Sequence, residues 1–378
     1  MSQTALLTRE PVVNKKQAIT ANRLIAHGPD VASVAGTLQA VGEYWPGQYP
    51  VFLSLGRLVP TPDLMSWQAP PNTHVEIPVQ TLGHPQTQAL LPQLQAAGIG
   101  MCLTWFSAGV ALPPGVDWRF VLINGRLHPS PDGSPGLSLA WGLPDAPAFK
   151  QAVAAGYDGA SGWFFLHGNP PAKELSPNHA QIIRLLNMVR NNENVRDIES
   201  VLKQDVALSY KLLRYINSAG FGLMVEIQSF RHAVSILGYD KLNKWLSLLL
   251  VTASRNPGAP AMMQTAIARG RLMEQIGAEF FDESACDNLF ITGAFSMLDI
   301  LLGASMETLL EETTLPGPVT DALLCGEGDY APFLRLAHAC ESFDPAALIK
   351  AANELHLAPE QLNRAQLMAL AFADNLQA

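Results

Sequence analysis

From residue 49 to residue 165 the chain alternates short apolar runs with turn residues. The runs are YPVFLSL (49–55), THVEIPV (73–79), GMCLTWF (100–106), WRFVLING (118–125), LSLAWG (137–142) and GASGWFF (159–165). Each has the length and the β-branched or aromatic content of a buried strand. Between some of them lie segments with helical spacing, HPQTQALLPQLQAAG (84–98) and APAFKQAVAAG (146–156). Strand, helix and strand in repetition predict a parallel sheet, open or closed into a barrel. Only RLHPSPDGSPG separates two of the runs. It is too short and too rich in Pro and Gly for a crossover helix, so a shortened or distorted barrel is expected.

The pattern changes near LHGNPPAKELSPNHA (166–180). Beyond it apolar residues recur at three and four, the spacing of amphipathic helices. Asn178 is a candidate cap for HAQIIRLLNMVRN, VRDIESVLKQD follows, and VALSYKLLRYINSAG ends at Gly220 as a left-handed cap. Next come QSFRHAVSILG and YDKLNKWLSLLLVTA, then four or more further helices. Two domains are predicted, 1–170 with α/β character and 171–378 as an all-α bundle. The stretch SFRHAVSILGYDKLNKWLSLL has the outline of a helix-turn-helix, with Gly238 in its turn and Lys241 and Lys244 after it. Its dominant apolar face favours helix packing over DNA reading.

Composition narrows the classes. The 378 residues suffice for two cores, and 48% apolar with 15% charged content marks a globular chain. Up to Pro170 there are eight basic and nine acidic residues, and from Pro171 on 16 basic and 24 acidic. Neither half has a basic surplus, which argues against nucleic acid as the main partner. Cys102, Cys286, Cys325 and Cys340 show no paired spacing and read as small buried hydrophobes in a reducing compartment. The start MSQTALLTREPVVNKK lacks the apolar run of a secretory signal. The longest apolar stretch, LFITGAFSMLDILLG (289–303), is too short to span a membrane and contains Asp299. A cytoplasmic protein without membrane contact is expected.

Several segments resemble known families. LLNMVRNNENVRDIESVLKQDVALSYKLLRYINSAGFG, IQSFRHAVSILGYDKLNKWLSLLLV, ARGRLMEQIG, LFITGAFSMLDILLG and LPGPVTDALLCGEGDYAPFLRLAHACESFD resemble, in order, the HDOD domain, a relative of HD metal-dependent phosphohydrolases. VFLSLGRL, HVEIPV, LPQLQAAGIGMCLTWFS, VDWRFVLING and LSLAWGLPDAPAFKQAVAAGYDGASGWFF resemble the EAL domain, a barrel that hydrolyses cyclic di-guanylate in active relatives. Together they resemble the EAL–HDOD class of bacterial signalling proteins. The resemblance implies a degenerate, shortened TIM-type (β/α) barrel followed by an HD-like helical bundle.

It also implies where metal ligands would stand. An EAL phosphodiesterase needs several carboxylates around divalent metals, which activate water and neutralise the phosphodiester. The tripeptide Glu-Ala-Leu is absent, and RLIAHG occupies its place. Thr104 and Trp105 stand where paired aspartates are expected. The lysine position falls near Val121 and Leu122, and a late Glu position falls on Ala140 or Trp141. Glu76 alone remains, read as a surface or barrel-mouth carboxylate without a metal. In the helical half Ser296 and Met297 take the place of the His-Asp pair, and Arg269 that of an upstream His. Asp299 is expected to pair with Arg269 or Arg271, and with Glu274 to form an internal polar network. No HExxH, P-loop, GxGxxG after a strand or GxSxG elbow occurs.

These readings lead to an expected non-enzyme. It would be a regulatory protein without metal or cofactor, acting through contact with other signalling proteins or a second copy of itself. The alternative expectation is a catalytically dead sensor of cyclic di-guanylate, with Arg57 and Arg126 as its nearby basic residues.

Overall fold

The computed structural model describes residues 4–167, 177–203, 227, 229–252, 258–342 and 344–376. They form two compact units, 1–169 with 338–371 and 170–337 with 372–378. Residues 338–371 thus pack with the barrel, although the division at 170/171 placed them in the helical half.

The first unit holds eight strands: β1 Leu6–Asn14, β2 Ile19–His27, β3 Val51–Ser54, β4 Thr73–Pro78, β5 Gly100–Thr104, β6 Phe120–Asn124, β7 Leu137–Trp141 and β8 Gly159–Ser161. They close into a barrel in chain order. β2 through β8 are parallel, and β1 runs antiparallel to both β2 and β8. The shortening expected of the barrel leaves the ring of strands whole. What is incomplete is the helical layer: α1 Val31–Val41, α2 Pro85–Ala96 and α3 Ala146–Ala154 follow β2, β4 and β7. No helix lies between β5 and β6 or between β6 and β7. Pro and Gly in those connections prevent helix while leaving enough chain to cross.

Closure depends on a close approach at the seam. A Cβ on Gly159 would lie 2.1 Å from the Val13 carbonyl oxygen, so only glycine lets β8 meet β1. The opposite end of β1 has no strand on its β8 side. Side chains of a helix at Pro359–Asn375 fill that edge: Leu7 N donates to Asn363 Oδ1 at 3.0 Å, Asn363 Nδ2 donates to the Ala5 carbonyl at 2.8 Å, and Gln366 Nε2 to the Leu7 carbonyl at 2.9 Å. Buried backbone groups at a sheet edge are satisfied this way without another strand.

The second unit is helical. Its elements are α4 Pro177–Arg190, α5 Val195–Lys203, α6 Phe230–Thr252, α7 Ala259–Gly277, α8 Glu283–Phe295, α9 Leu298–Leu302, α10 Met306–Glu311 and α11 Gly317–Leu324. α12 Ala331–Cys340, α13 Pro345–Glu354 and α14 Pro359–Asn375 complete the chain. α4 begins at Pro177, one residue before the expected cap Asn178. The segment ending at Gly220 lies outside the described residues. α6 bends at Gly238, whose φ of +72° is the left-handed backbone that glycine adopts freely. Lys244, which a DNA-reading surface would have shown to solvent, is turned inward. The apolar stretch 289–303 is divided between α8 and α9. No helix among the described residues is long and apolar enough to cross a membrane. Cys102, Cys286 and Cys340 are buried, whereas Cys325 at the end of α11 is exposed, against expectation.

Candidate functional site

Alternation along the strands sends Val12, Ala21, Phe52, Cys102, Leu122 and Leu139 into the barrel as an apolar layer, packed by Phe120 and Trp141. The same inward faces carry Glu10, Arg23, Glu76 and Ser161, a step nearer the carboxyl ends of the parallel strands. Arg23 Nε donates to Glu76 Oε1 at 2.5 Å and Nη2 to Glu76 Oε2 at 2.9 Å, a bidentate pair. Its Nη1 donates to Glu10 Oε2 at 2.7 Å, and the Ser161 hydroxyl donates to the same oxygen at 2.9 Å.

Glu76 is 3% exposed and Glu10 5%. The carboxylate at 76, expected on the surface or at the barrel mouth, is therefore an interior one, already neutralised by Arg23. Burial alone opposes the Arg23 charge, but Glu76 and then Glu10 outweigh it and hold the guanidinium protonated beyond its ordinary range. Cys102 sits opposite Glu76 in the register. Burial, reinforced by the Glu76 charge, pushes its thiol well above the usual value, so it is no thiolate nucleophile. Glu10 and Arg23 went unread in the sequence. Their one signal was a charge inside a short apolar run, and the partner strand was needed to interpret it.

Above this layer is the mouth at the carboxyl ends, where parallel α/β barrels build their sites. Thr104 ends β5 on the inward face and is buried. Trp105 follows with φ of +60°, a left-handed conformation that costs a non-glycine residue about 1–2 kcal/mol. Its ring is 51% exposed and stands edge-on to Trp141, with centroids 4.5 Å apart. Strain of this kind concentrates at sites where a side chain is held for use. Phe106 is buried and lines a cleft of about 270 Å³ with Ser107, Ile123, His128, Ser130 and Asp132. Val121, Leu122 and Ala140 are core residues of β6 and β7. Arg57 and Arg126 are exposed on the loops after β3 and β6.

In the helical unit α7 and α8 cross at glycines. A Cβ on Gly270 would lie 2.6 Å from the Phe290 carbonyl, and one on Gly293 2.6 Å from Gly270 N. The close crossing lets buried Arg269 donate from Nη1 to Ser296 Oγ at 3.0 Å, while Ser296 Oγ donates to the Gly293 carbonyl at 2.7 Å. The two substituted positions are therefore in contact. Met297 is fully buried where α8 gives way to α9.

Arg271 donates to Glu274 Oε2 at 2.8 Å and lies over the Phe372 ring at 4.8 Å. Glu274 also accepts from Lys244 Nζ, which reaches Asp287 Oδ1 at 2.8 Å and lies 4.6 Å from the Phe290 ring centre. Burial raises the Asp287 carboxyl despite the Lys244 charge beside it. Among the described residues Asp299 pairs with neither Arg269 nor Arg271. It lies on the separate turn of α9, where its carbonyl accepts from Gly303 N at 2.6 Å. The acidic member of the network is Asp287, reached through Lys244, rather than Asp299.

Hard divalent cations need several oxygen ligands at one point. No three His, Cys, Asp or Glu side chains gather in this way among the described residues. Glu76, committed to Arg23, offers none of its oxygens free of a guanidinium.

Residues 175–311 match the HDOD domain family. The chain is 31% identical over 234 residues to the cyclic di-GMP phosphodiesterase CdgJ of Vibrio cholerae, covering 61% of this chain and 53% of that protein. It is 26% identical over 233 residues to the uncharacterized protein YuxH of Bacillus subtilis, covering 60% and 56%. The chain spans about half the length of these curated relatives. Among solved structures, Klebsiella pneumoniae BlrP1 in its manganese and cyclic di-GMP complex at pH 9.0 gives a TM-score of 0.35 at 14% identity, covering 43% of this chain and 55% of that one. The FimX EAL domain of Pseudomonas aeruginosa bound to cyclic di-GMP gives 0.33 at 14%, covering 44% and 90%. The relation to CdgJ corrects the expectation of a non-enzyme. A sequence relative carries an enzyme's name, and ligand positions counted along an aligned barrel do not outweigh it.

Proposed function

We propose that this chain, a closed barrel with an HDOD domain and a relative named as a cyclic di-GMP phosphodiesterase, handles cyclic di-GMP at the carboxyl-end mouth of its barrel. The observation that carries this reading is Trp105, held half-exposed at φ of +60° and edge-on to Trp141. Nucleobases stack on aromatic rings, and each such stack contributes about 1–3 kcal/mol. Arg57 and Arg126, exposed on the loops after β3 and β6, supply charge for the phosphates.

Calorimetric titration with cyclic di-GMP, followed in parallel by tryptophan fluorescence, tests this. Quenching with saturable heat is expected, and Trp105→Ala should weaken binding about tenfold or more. Chromatography of the same mixtures with added magnesium or manganese measures hydrolysis, the reaction that CdgJ's name supplies. The absence of heat, quenching and hydrolysis alike at millimolar dinucleotide would overturn the proposal.

A second reading, output by protein contact from the helical unit, is favoured by Phe280. It is 45% exposed at the edge of an aromatic cluster with Phe281 and Phe333. Loss of partner or self-association in Phe280→Ser, measured by sedimentation, is the expected outcome.

A further inference from the structure

The helical unit contains a polar cleft of about 370 Å³. Arg190, the last residue of α4, lines it with Tyr239, Asp240 and Asn243 just past the bend of α6, Ser284 on α8, and Thr314 after α10. The volume lies in the range of small-ligand sites.

Arg190 is anomalous there. Its Nε and Nη2 are buried and neither has a hydrogen-bond partner among the described residues, and the same holds for Asn243 Oδ1. Buried guanidinium donors left unpaired are costly, and native proteins rarely keep them without a use. Asp240 favours the Arg190 charge through space yet forms no hydrogen bond with it, and burial dominates, drawing the guanidinium down to about 10. The neighbouring cation Lys244 is already committed to Glu274 and Asp287. Two N–H donors in a planar fork point to an oxyanion, the group that such a fork binds bidentately. The Ser284 and Thr314 hydroxyls on the lining supply donors for a third oxygen, which a phosphoryl group has and a carboxylate lacks. Asp240 and Asp287, the latter paired with Lys244, both line the cleft and disfavour a second negative charge on the ligand.

We propose that this cleft is a binding site for a singly charged phosphoryl group of a small molecule, with Arg190 as its anchor. The site is independent of the barrel mouth. Nε and Nη2 are sealed from solvent in the empty cleft, so binding requires Arg190 to swing toward the ligand. The phosphoryl group then satisfies the guanidinium that the free protein leaves unpaired, and the stability given up in the empty state returns.

The test uses the full chain carrying Trp105→Ala, which removes the aromatic ring of the barrel site. Inorganic phosphate, 5′-GMP and cyclic di-GMP are titrated separately, with thermal melting and calorimetry as readouts. These arms distinguish a free anion, a phosphomonoester and a phosphodiester. At least one is expected to raise the melting temperature, and Arg190→Met should weaken its binding at least tenfold while melting higher than its parent without ligand. If Arg190→Met fails to fold, Arg190→Lys, which keeps the charge but loses the fork, must also bind at least tenfold more weakly. No shift with any of the three at 10 mM would overturn the proposal, on the order of the weakest affinity such a site could use. So would a shift unchanged by both Arg190 variants.

Discussion

Arg23→Met tests the barrel's interior most directly. The substitution keeps side-chain bulk but removes three hydrogen bonds of 2.5–2.9 Å to two ionised carboxylates. Each charge-assisted bond contributes about 1.5–3 kcal/mol, yet the sum overstates the loss because the groups act together. Removing one partner of a buried ion pair costs about 3–5 kcal/mol. Here the deleted residue serves two carboxylates, 3% and 5% exposed, which then face each other without a counter-charge. The upper end, about 5 kcal/mol, is therefore expected at pH 7, a large share of the roughly 5–15 kcal/mol that stabilises a domain.

Urea unfolding of wild type and variant at pH 7, followed by tryptophan fluorescence, measures the loss. Adding Glu10→Leu and Glu76→Leu should recover most of the loss, since a buried charged set can be replaced by apolar side chains at little cost. A loss below about 1 kcal/mol would refute the account of the interior as a bridged ion triad.

Gly159→Ala should prevent the β1–β8 seam from closing, because its Cβ would meet the Val13 carbonyl at 2.1 Å; loss of amide-exchange protection at Val12 and Val13 checks it. Burial is the largest cause holding His27 and His74 below the ordinary histidine range. Below pH about 6.5 the unfolded chain takes up protons that the folded one refuses, so stability present above that value should fall with pH. Melting at pH 7.5 and 5.5 measures the drop, and His74→Phe should reduce it. Lys244→Met leaves Glu274 and Asp287 without their shared cation and should cost about 3 kcal/mol or more in urea unfolding.

The strand positions from 49 to 161 were legible because apolar runs of strand length were bounded by Gly and Pro. β1 was not. Arg9, Glu10 and Pro11 interrupt LLTREPVVN and make it look like a polar leader. Two of those residues belong inside the fold: Glu10 points to Arg23, and Arg9 donates to Glu341 Oε1 at 2.6 Å. A charge in a strand pattern reads as exposure until its partner is known, and these partners lie 13 and 332 residues away. The same limit hid Lys244, which looked like a surface base, and sent the network's acid to Asp299 in place of Asp287. Arg269 and Ser296 were identified through family positions rather than periodicity, and the glycine crossing explains their contact.

The edge of β1 has a consequence for how the protein comes into being. Leu7 finds its hydrogen-bond partner at Asn363, 356 residues later in the chain. During synthesis at about 5–20 residues per second, that gap amounts to roughly 18 seconds or more. Throughout it the first strand exists with a bare apolar edge, able to pair with any extended chain it meets. The nascent protein is thus most vulnerable to aggregation before α14 is made. Ribosome-bound chains that stop short of Asn363 are the forms that a chaperone should hold.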